Sequence, residues 1–355
     1  MRTVTLIDPS EDPRWDVFVE NHPFGWICHL SKWKHVLEKS FKHMNGYYFV
    51  RMDNSGENIE AALPIFEVKS WLTGTRLVSI PFATLCDPLI ETSDDITELF
   101  ESVLDFSKKI KSSYVEIRTL SSASLLQDVR LAKTSFYKHH YIPLGPDPEK
   151  LKKNFHRSCV RQRITRAEKS NLRMKVGEDN SDLYKFYRLQ LMTRKRLGLP
   201  CQPYQFFESL WESFFPSNQL TLLLAEKDGE TIGGIILFKY KDRISAEFAA
   251  SDDKFTDISP NHYLFWEAIK LACYEGYKVF DFGRTSPSNQ SLMDFKRRWG
   301  TTVIDLPQFY YPEKLARKSA QEKKSRRYKL INKLCKDAPN YAQQIIGNFC
   351  YRHLG

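Results

Sequence analysis

The sequence lacks the cysteine and hydrophobic patterns that mark several common protein classes. Its seven cysteines form no C-x-x-C pair, and no His/Cys group has the spacing of zinc ligands. The longest apolar runs, such as residues 231–238, are far shorter than the roughly 20 residues that cross a bilayer. The N-terminus has no extended apolar stretch that ends in a small-residue cleavage site. These absences predict reduced cysteines, no metal site and a cytoplasmic protein.

Several widespread catalytic motifs are also missing. The sequence contains no G-x-S-x-G elbow, Walker loop, G-x-G-x-x-G turn or H-E-x-x-H helix. His43, His139 and His140 have no carboxylate or nucleophile at a spacing that would indicate a catalytic pair, so we expect them to be structural or exposed. The pattern therefore disfavours a serine hydrolase, a P-loop NTPase, a dinucleotide enzyme and a zinc protease.

Positive charge is abundant but concentrated in two segments. The chain carries 53 Lys and Arg against 43 Asp and Glu, a net charge of +10. Residues 150–175 hold ten of the basic residues with one acid, and residues 313–333 hold nine with two acids. Such basic segments attract phosphates, nucleic acid or anionic lipid head groups.

The apolar periodicity predicts an α/β fold in which one order of elements occurs twice. A strand, a turn with Asp or Gly, two further strands, a helix and a closing strand are indicated over residues 47–118 and again over residues 220–282. The alternative is two unrelated α/β passages that look alike. The 355 residues suggest about two domains, and we place these at 1–146 and 147–312, followed by a basic helical tail at 313–355.

The end of the last predicted strand is the first candidate site. Asp281 and Arg284 lie there and Lys296 follows, at the carboxyl end of a strand, where α/β proteins usually bind ligands. Asp281 could orient or deprotonate an attacking amine or hydroxyl. Arg284 or Lys296 could hold a phosphate or stabilise an oxyanion, and Lys296 is the second predicted catalytic residue. The alternative is an Asp281–Arg284 ion pair that only fixes the end of the strand.

A basic helix predicted at 150–169 is the second candidate site. One stripe of this helix is apolar, while His156, Arg157, Arg161 and Arg163 occupy its other faces. Arginine has a planar guanidinium that suits phosphate, so these residues are predicted to bind a phosphorylated donor or acceptor. The alternative is a charged helix that is only solvated.

Four stretches resemble the Fem-like branch of the GNAT acyltransferase superfamily. They are Phe155-His156-Arg157-Ser158-Cys159-Val160-Arg161-Gln162-Arg163-Ile164-Thr165-Arg166-Ala167-Glu168-Lys169, Phe186-Tyr187-Arg188-Leu189 with Thr193-Arg194, Phe280-Asp281-Phe282-Gly283-Arg284, and Phe295-Lys296 with Trp299-Gly300. The resemblance implies two tandem GNAT-like domains, each with a mixed β-sheet flanked by helices. It also adds Arg194 and Trp299 to the predicted substrate-binding residues, although Trp299 could equally be a packing residue.

The resemblance implies acyl transfer, and two donors are open. The main expectation is transfer of an acyl group, such as acetyl from acetyl-CoA or another acyl-CoA, to an amine or hydroxyl of a cell-envelope or exopolysaccharide precursor. However, residues 251–261 lack the glycines with which GNAT loops bind the pyrophosphate of acetyl-CoA. The first alternative is an aminoacyl-tRNA-dependent transferase of the peptidoglycan cross-bridge, and the second is a non-catalytic envelope-binding module. The acceptor would be a small molecule or a lipid-linked saccharide or peptide, and the 313–355 tail could contact the inner membrane surface.

Overall fold

The computed structural model describes residues 4–314 and 326–354, and the chain divides into two compact units. The first unit comprises Met1–Phe136, Asp305–Tyr328 and Phe349–Gly355, and the second comprises Tyr137–Ile304 and Lys329–Asn348. The division therefore lies ten residues before the predicted boundary at 146/147. The described residues of the predicted 313–355 tail are shared between the two units, because their helices pack back onto the body of the chain.

The first unit contains a sheet of antiparallel strands that ends in a parallel pair. Strands β1 to β4 pair successively in antiparallel fashion, β4 pairs with β5 in parallel, and part of β12 pairs with β5. A cluster of buried side chains from these strands and α3 forms its core. The elements are β1 (Val4–Ile7), α1 (Arg14–Asn21), a 3₁₀ turn (Ile27–His29), α2 (Ser31–Ser40), β2 (Met44–Met52), β3 (Ile59–Ser70), β4 (Gly74–Val78), α3 (Ser93–Lys109), β5 (Val115–Arg118) and a second 3₁₀ turn (Ser122–Ser124).

The second unit repeats this arrangement with more helices. Strands β7 to β10 are antiparallel, β10 pairs with β11 in parallel, and β11 pairs with β6 in antiparallel fashion. The elements are β6 (Ala132–Pro143), α4 (Pro148–Lys152), a π-helical turn (Arg157–Arg161), α5 (Gln162–Lys169), β7 (Arg173–Val176), α6 (Asn180–Arg196), α7 (Tyr204–Phe214), β8 (Leu220–Lys227), β9 (Glu230–Tyr240), β10 (Arg243–Ser251), a 3₁₀ turn (Asp253–Ile258), α8 (Pro260–Tyr274), β11 (Val279–Thr285), α9 (Gln290–Arg297), β12 (Thr302–Tyr311), α10 (Arg326–Asp337) and α11 (Asn340–Tyr351). Strands β6 and β12 contribute residues to both units.

The predicted α/β fold with its repeated order of elements is confirmed. In the first unit three antiparallel strands are followed by α3 and the parallel strand β5, and in the second unit β8, β9 and β10 are followed by α8 and β11. In the second unit the helices lie very close to the sheet. A Cβ at Gly234 would come within 2.8 Å of the Phe186 ring, so a larger residue could not occupy this strand position without displacing α6. None of the described helices is long and apolar enough to cross a membrane.

The basic helix predicted at 150–169 is broken, contrary to the expectation from its periodicity. Helix α4 ends at Lys152, and the chain starts again with the π-helical turn at Arg157. His156 causes the new start, because its Nδ1 accepts a hydrogen bond from the Cys159 backbone N–H (3.2 Å) and its own N–H donates to the Arg298 carbonyl (2.8 Å). The side chain therefore caps a helix, a role that the predicted continuous helix could not include.

Candidate functional site

The parallel strands β10 and β11 separate at their carboxyl ends. Their pairing runs from Arg243↔Val279 to Ser245↔Asp281 and then stops, although β10 continues beside β9 and β11 continues beside β6. Each strand has a register shift at this point, β10 between Ala246 and Phe248 and β11 between Asp281 and Gly283. Bulges bend strands and redirect side chains, so the two strands diverge at the edge of the sheet where ligands usually bind, and we refer to this point of divergence as the opening.

Glu247 occupies the bulge of β10 at this opening. Ser245 donates a hydrogen bond from Oγ to Glu247 Oε1 (2.6 Å). Burial raises the pKa of Glu247 from 4.5 to about 7, with a further contribution from Asp281, while Ser245 and Lys296 oppose the shift. A carboxyl group with a pKa near neutrality can accept a proton from an attacking nucleophile. Glu247 is not among the residues predicted from the sequence, although a lone carboxylate in a largely apolar strand is a signal that could have indicated it.

Lys296 reaches the same opening from the last turn of α9. Its buried Nζ donates to the carbonyl oxygens of Gly283 (3.1 Å) and Arg284 (3.0 Å) at the end of β11. Burial lowers the pKa of Lys296 to about 8, and the charges of Asp281 and Glu247 oppose this shift. The structure therefore brings the predicted Lys296 close enough to Glu247 for their charges to interact, and a cation at this position can stabilise negative charge that develops on a substrate.

Asp281 does not face the opening as predicted but is buried in a network of its own. Its Oδ2 lies 2.9 Å from Nη1 of Arg243 and 3.1 Å from Nε2 of His139, and its Oδ1 accepts the Gly283 N–H (2.6 Å). Burial raises the pKa of Asp281, but His139, Arg243 and the Gly283 N–H together hold it below the ordinary value. An ionised carboxylate with these partners positions β11, β6 and β10 and is a poor proton acceptor. The predicted arginine partner, Arg284, is replaced by Arg243 of β10.

Three further predicted residues serve structural contacts. Trp299 was expected to bind substrate, but it is fully buried, and its ring packs against those of Phe155 (5.2 Å between centroids) and Phe282 (6.0 Å). Arg194 donates from Nε to the Pro200 carbonyl (3.0 Å) and so holds the loop that follows α6. Arg284 lies over a tyrosine ring at 5.1 Å in a cation–π contact.

A cavity of about 360 Å³ opens at the N-terminus of α8. Helix N-termini attract anions through their partial positive charge, and the exposed guanidinium groups of Arg163 and Arg196 line the same cavity. Ser259 Oγ and Asn261 Oδ1 are buried there without hydrogen-bond partners among the described residues. The lining residues are Arg163, Arg196, Ser251, Asp253, Thr256, Ser259, Pro260, Asn261, His262 and Phe295. Arg163 was predicted and Arg196 was missed, because Arg196 reaches the cavity from a different helix.

A second cavity of about 210 Å³ adjoins the first and shares Arg163, His262 and Phe295 with it. Arg298 contributes another cation, and Cys159, Val160 and Ser291 complete the lining. Burial, together with the charge of Arg163, lowers the pKa of His262 to about 4, so this ring is neutral. Within the described residues, Arg163, Arg196 and Arg298 form no ion pair with a carboxylate. These cavities therefore present positive charge that is available to a ligand.

The other predicted cations lie outside both cavities. His156 caps the π-helical turn, Arg157 is exposed, and Arg161 is partly buried with no hydrogen-bond partner for its Nε in the described part of the chain. The structure thus brings together one of the four predicted residues of the basic segment with two arginines from other elements. The described residues contain no group of His, Cys, Asp and Glu that could hold a metal ion.

Comparison with known proteins shows what this part of the chain is similar to. Residues 154–297 match the acetyltransferase (GNAT) domain family, and this range includes the opening and most of both cavities. Over 329 residues the chain is 20% identical to the UDP-N-acetylmuramoylpentapeptide-lysine N(6)-alanyltransferase of Weissella viridescens, covering 88% of this chain and 95% of that protein. It is also 22% identical to the lipid II:glycine glycyltransferase of Staphylococcus epidermidis, covering 82% of this chain and 88% of that protein.

A solved structure gives the same result at the level of the fold. The crystal structure of FemX is similar with a TM-score of 0.70 and 17% sequence identity, and the similarity covers 90% of this chain and 100% of that one. The similarity extends over both units, so the whole chain, including its first unit, has the fold of a Fem-type protein.

Proposed function

We propose that this chain, a Fem-related acyltransferase with a GNAT domain, transfers an aminoacyl group from aminoacyl-tRNA to a primary amine of a peptidoglycan-precursor peptide. Two relatives support this choice, since one is named as a lysine N(6)-alanyltransferase and the other as a lipid II:glycine glycyltransferase. These relatives favour the aminoacyl alternative over the main expectation of acetyl transfer from acyl-CoA.

The observation that carries the proposal is the opening at which Glu247 and Lys296 meet, with arginine-lined cavities in the same unit. The acceptor amine attacks the ester carbonyl of the donor, a C–N bond forms, and the C–O bond to the ribose breaks. Glu247 accepts the proton that the amine loses. The terminal ribose hydroxyl leaves and takes up a proton, which Glu247 can return. Lys296 stabilises the oxyanion between these two steps.

The cavities support RNA as the donor more than coenzyme A. Arg163, Arg196 and Arg298 offer separate cations along two adjoining cavities, which suits successive phosphodiesters of a single strand. The segment before α8 contains no glycine, and Asp253 lines the first cavity. A carboxylate at that position disfavours a compact pyrophosphate that approaches the backbone closely.

A binding measurement with both donors tests the proposal. Fluorescence anisotropy of a labelled non-hydrolysable aminoacyl-tRNA analogue should show binding that weakens steeply with salt, while acetyl-CoA should not compete. Arg163→Ala with Arg196→Ala should weaken this binding by about a hundredfold or more, because each charge-assisted phosphate contact contributes about 1.5–3 kcal/mol.

The matched control is Arg188→Ala, which removes an exposed charge from α6 outside both cavities and should leave binding unchanged. Saturable binding of acetyl-CoA without binding of the tRNA analogue would favour acyl-CoA as the donor instead. Equal losses in the Arg188 variant and the double variant would mean that the cavities are not the donor site.

A further inference from the structure

The β3–β4 hairpin of the first unit ends in two exposed apolar side chains. Trp71 is 81% exposed and Leu72 is 51% exposed. The other six tryptophans of the chain are at most 6% exposed, so Trp71 is the exception to their burial. A large aromatic ring left in water is a feature of interaction sites rather than of stability.

The end of α11 lies beside this hairpin and enlarges the exposed surface. His353 contacts the Trp71 ring (5.2 Å between centroids) and the Phe349 ring (5.3 Å). Its carbonyl accepts a hydrogen bond from Arg76 (2.9 Å). Phe349 and Leu354 are both exposed. We refer to Trp71, Leu72, Phe349 and Leu354 as the hairpin patch.

Buried aromatic packing and a hydrogen bond hold the hairpin patch in place. Its C-terminal part is anchored by the buried Tyr351, whose ring packs on those of Phe41 (6.1 Å) and Phe82 (5.5 Å). Ser70 Oγ and His353 Nδ1 lie 2.9 Å apart, which ties the hairpin to the end of α11. The exposed rings are therefore held in place by contacts beneath them.

The exposed charges in the segments that form the hairpin patch are positive. Residues 69–76 and 349–354 contain no Asp or Glu, and Lys69 and Arg352 are exposed within them, although Lys69 also pairs with the buried Glu67. Such a surface is complementary to lipid phosphates.

We propose that the hairpin patch binds the surface of an anionic lipid bilayer, with Trp71 and Leu72 in the head-group region and Lys69 and Arg352 towards the lipid phosphates. Tryptophan is enriched at membrane–water interfaces because its ring is amphipathic. An apolar tip flanked by cations and without exposed carboxylates in its own segments matches that environment better than the mixed-charge rim of a protein interface. The membrane contact thus lies at the hairpin and the chain end, whereas part of the basic run at 323–327 falls outside the described residues.

Quenching of Trp71 fluorescence provides a direct test, because the other six tryptophans are buried and Trp71 is exposed. Vesicles of equal parts phosphatidylcholine and phosphatidylglycerol with brominated acyl chains should quench the emission, and vesicles of phosphatidylcholine alone should quench it much less. In co-sedimentation, the Trp71→Ser, Leu72→Ser double variant should bind at least about tenfold more weakly, since burial of both side chains contributes more than about 1.4 kcal/mol.

The matched control is Val129→Ser, which removes a 99% exposed apolar side chain elsewhere in the first unit and should bind like the wild type. Lys69→Glu with Arg352→Glu should abolish the preference for phosphatidylglycerol. Equal vesicle binding by the wild type and the Trp71/Leu72 variant would overturn the proposal. Acrylamide quenching of Trp71 that becomes weaker as the protein concentration rises, in the absence of lipid, would also overturn the proposal. In that case the patch would join two copies of the chain. No donor or acceptor is present, so the outcome is independent of the proposed transferase activity.

Discussion

At the scale of single residues, burial brings the pKa values of Glu247 and Lys296 close together. The pKa of Glu247 rises to about 7 and that of Lys296 falls to about 8, in both cases mainly because the charged form is desolvated. Groups of this kind exchange protons readily at neutral pH, and such pairs are typical of sites that carry out acid–base chemistry. Asp281 is buried in the same region but remains ionised, since Arg243 and His139 compensate its charge.

Replacement of Glu247 by Gln tests its role as the base. Wild-type kcat/KM should rise with pH and level off above about 7, where Glu247 is ionised. Glu247→Gln should lower the rate by about 10²- to 10⁴-fold, the usual contribution of a general base, and should remove this rise from the pH profile. A variant that keeps both the rate and the rise would show that the titrating group is the substrate amine.

The same substitution, which should lower activity, should raise the stability of the folded protein by an amount that depends on pH. Because the pKa of Glu247 is higher in the folded protein, its contribution to stability is fully present below about pH 4.5 and is lost as the pH rises through about 7. Urea unfolding should therefore show Glu247→Gln to be more stable than the wild type at pH 8, by roughly 1–3 kcal/mol. The advantage should shrink between pH 7 and pH 5, and a constant difference would contradict the raised pKa.

At the scale of secondary-structure elements, the equivalent helices α3 and α8 use their N-termini differently. At α3, Asp95 Oδ2 accepts the backbone N–H groups of Glu91 and Thr92 (2.9 Å each), and the carboxylate also pairs with the buried Arg51. At α8, the preceding Ser259 provides no side-chain cap, and the terminus lies open beside Arg163 and Arg196. Thr92 and Asp95 thus form a reciprocal capping box at α3, whereas no side chain among the described residues caps α8.

Loss of the α3 cap should destabilise the first unit strongly. Asp95→Ala leaves Arg51 without its principal buried partner and breaks the capping box with Thr92, which should cost about 3–5 kcal/mol. Thermal unfolding followed by circular dichroism measures the effect. Asp94→Ala removes the exposed neighbouring carboxylate and should change stability by no more than about 0.5 kcal/mol. Equal shifts for the two variants would mean that the capping contacts contribute little.

At the scale of the whole molecule, the chain end closes the first unit. Tyr351 fills a pocket beside Phe41 and Phe82, and Arg76 bonds to the His353 carbonyl. Residues 349–354 therefore belong to the core of a unit whose other elements mostly precede residue 137. These residues of the predicted 313–355 tail are therefore a structural part of the first unit.

Removal of the Tyr351 side chain should accordingly destabilise the first unit and not only the end of the chain. Tyr351→Ala removes a buried aromatic side chain and should lower the free energy of unfolding by about 3–5 kcal/mol. Arg352→Ala changes an exposed neighbour and should be nearly neutral. Chemical denaturation monitored by tryptophan fluorescence would report both, since Trp15, Trp26 and Trp33 lie in the first unit. An unchanged midpoint for Tyr351→Ala would show that the chain end is not part of this core.

The α/β order and its repetition could be predicted from the sequence, which also indicated the end of β11 as the candidate site. These features depend on neighbours in the chain, since strand and helix periodicity and turn residues are local. The Phe-Asp-Phe-Gly-Arg strand and Lys296 are located by the same local signals. The resemblance to Fem-type proteins, carried by the same stretches, was confirmed by comparison.

The identity of the groups proposed to carry out the chemistry, in contrast, depends on the folded chain. His139 and Arg243 reach Asp281 from other strands and hold it ionised, whereas Glu247 is desolvated in the bulge of β10 and is therefore the proposed base. Arg196 joins Arg163 from a separate helix, and Trp299 is enclosed in the core. Proton affinity and ion pairing depend on burial and on partners distant in sequence. They cannot be read from local patterns, because desolvation and long-range contacts exist only once the chain has folded.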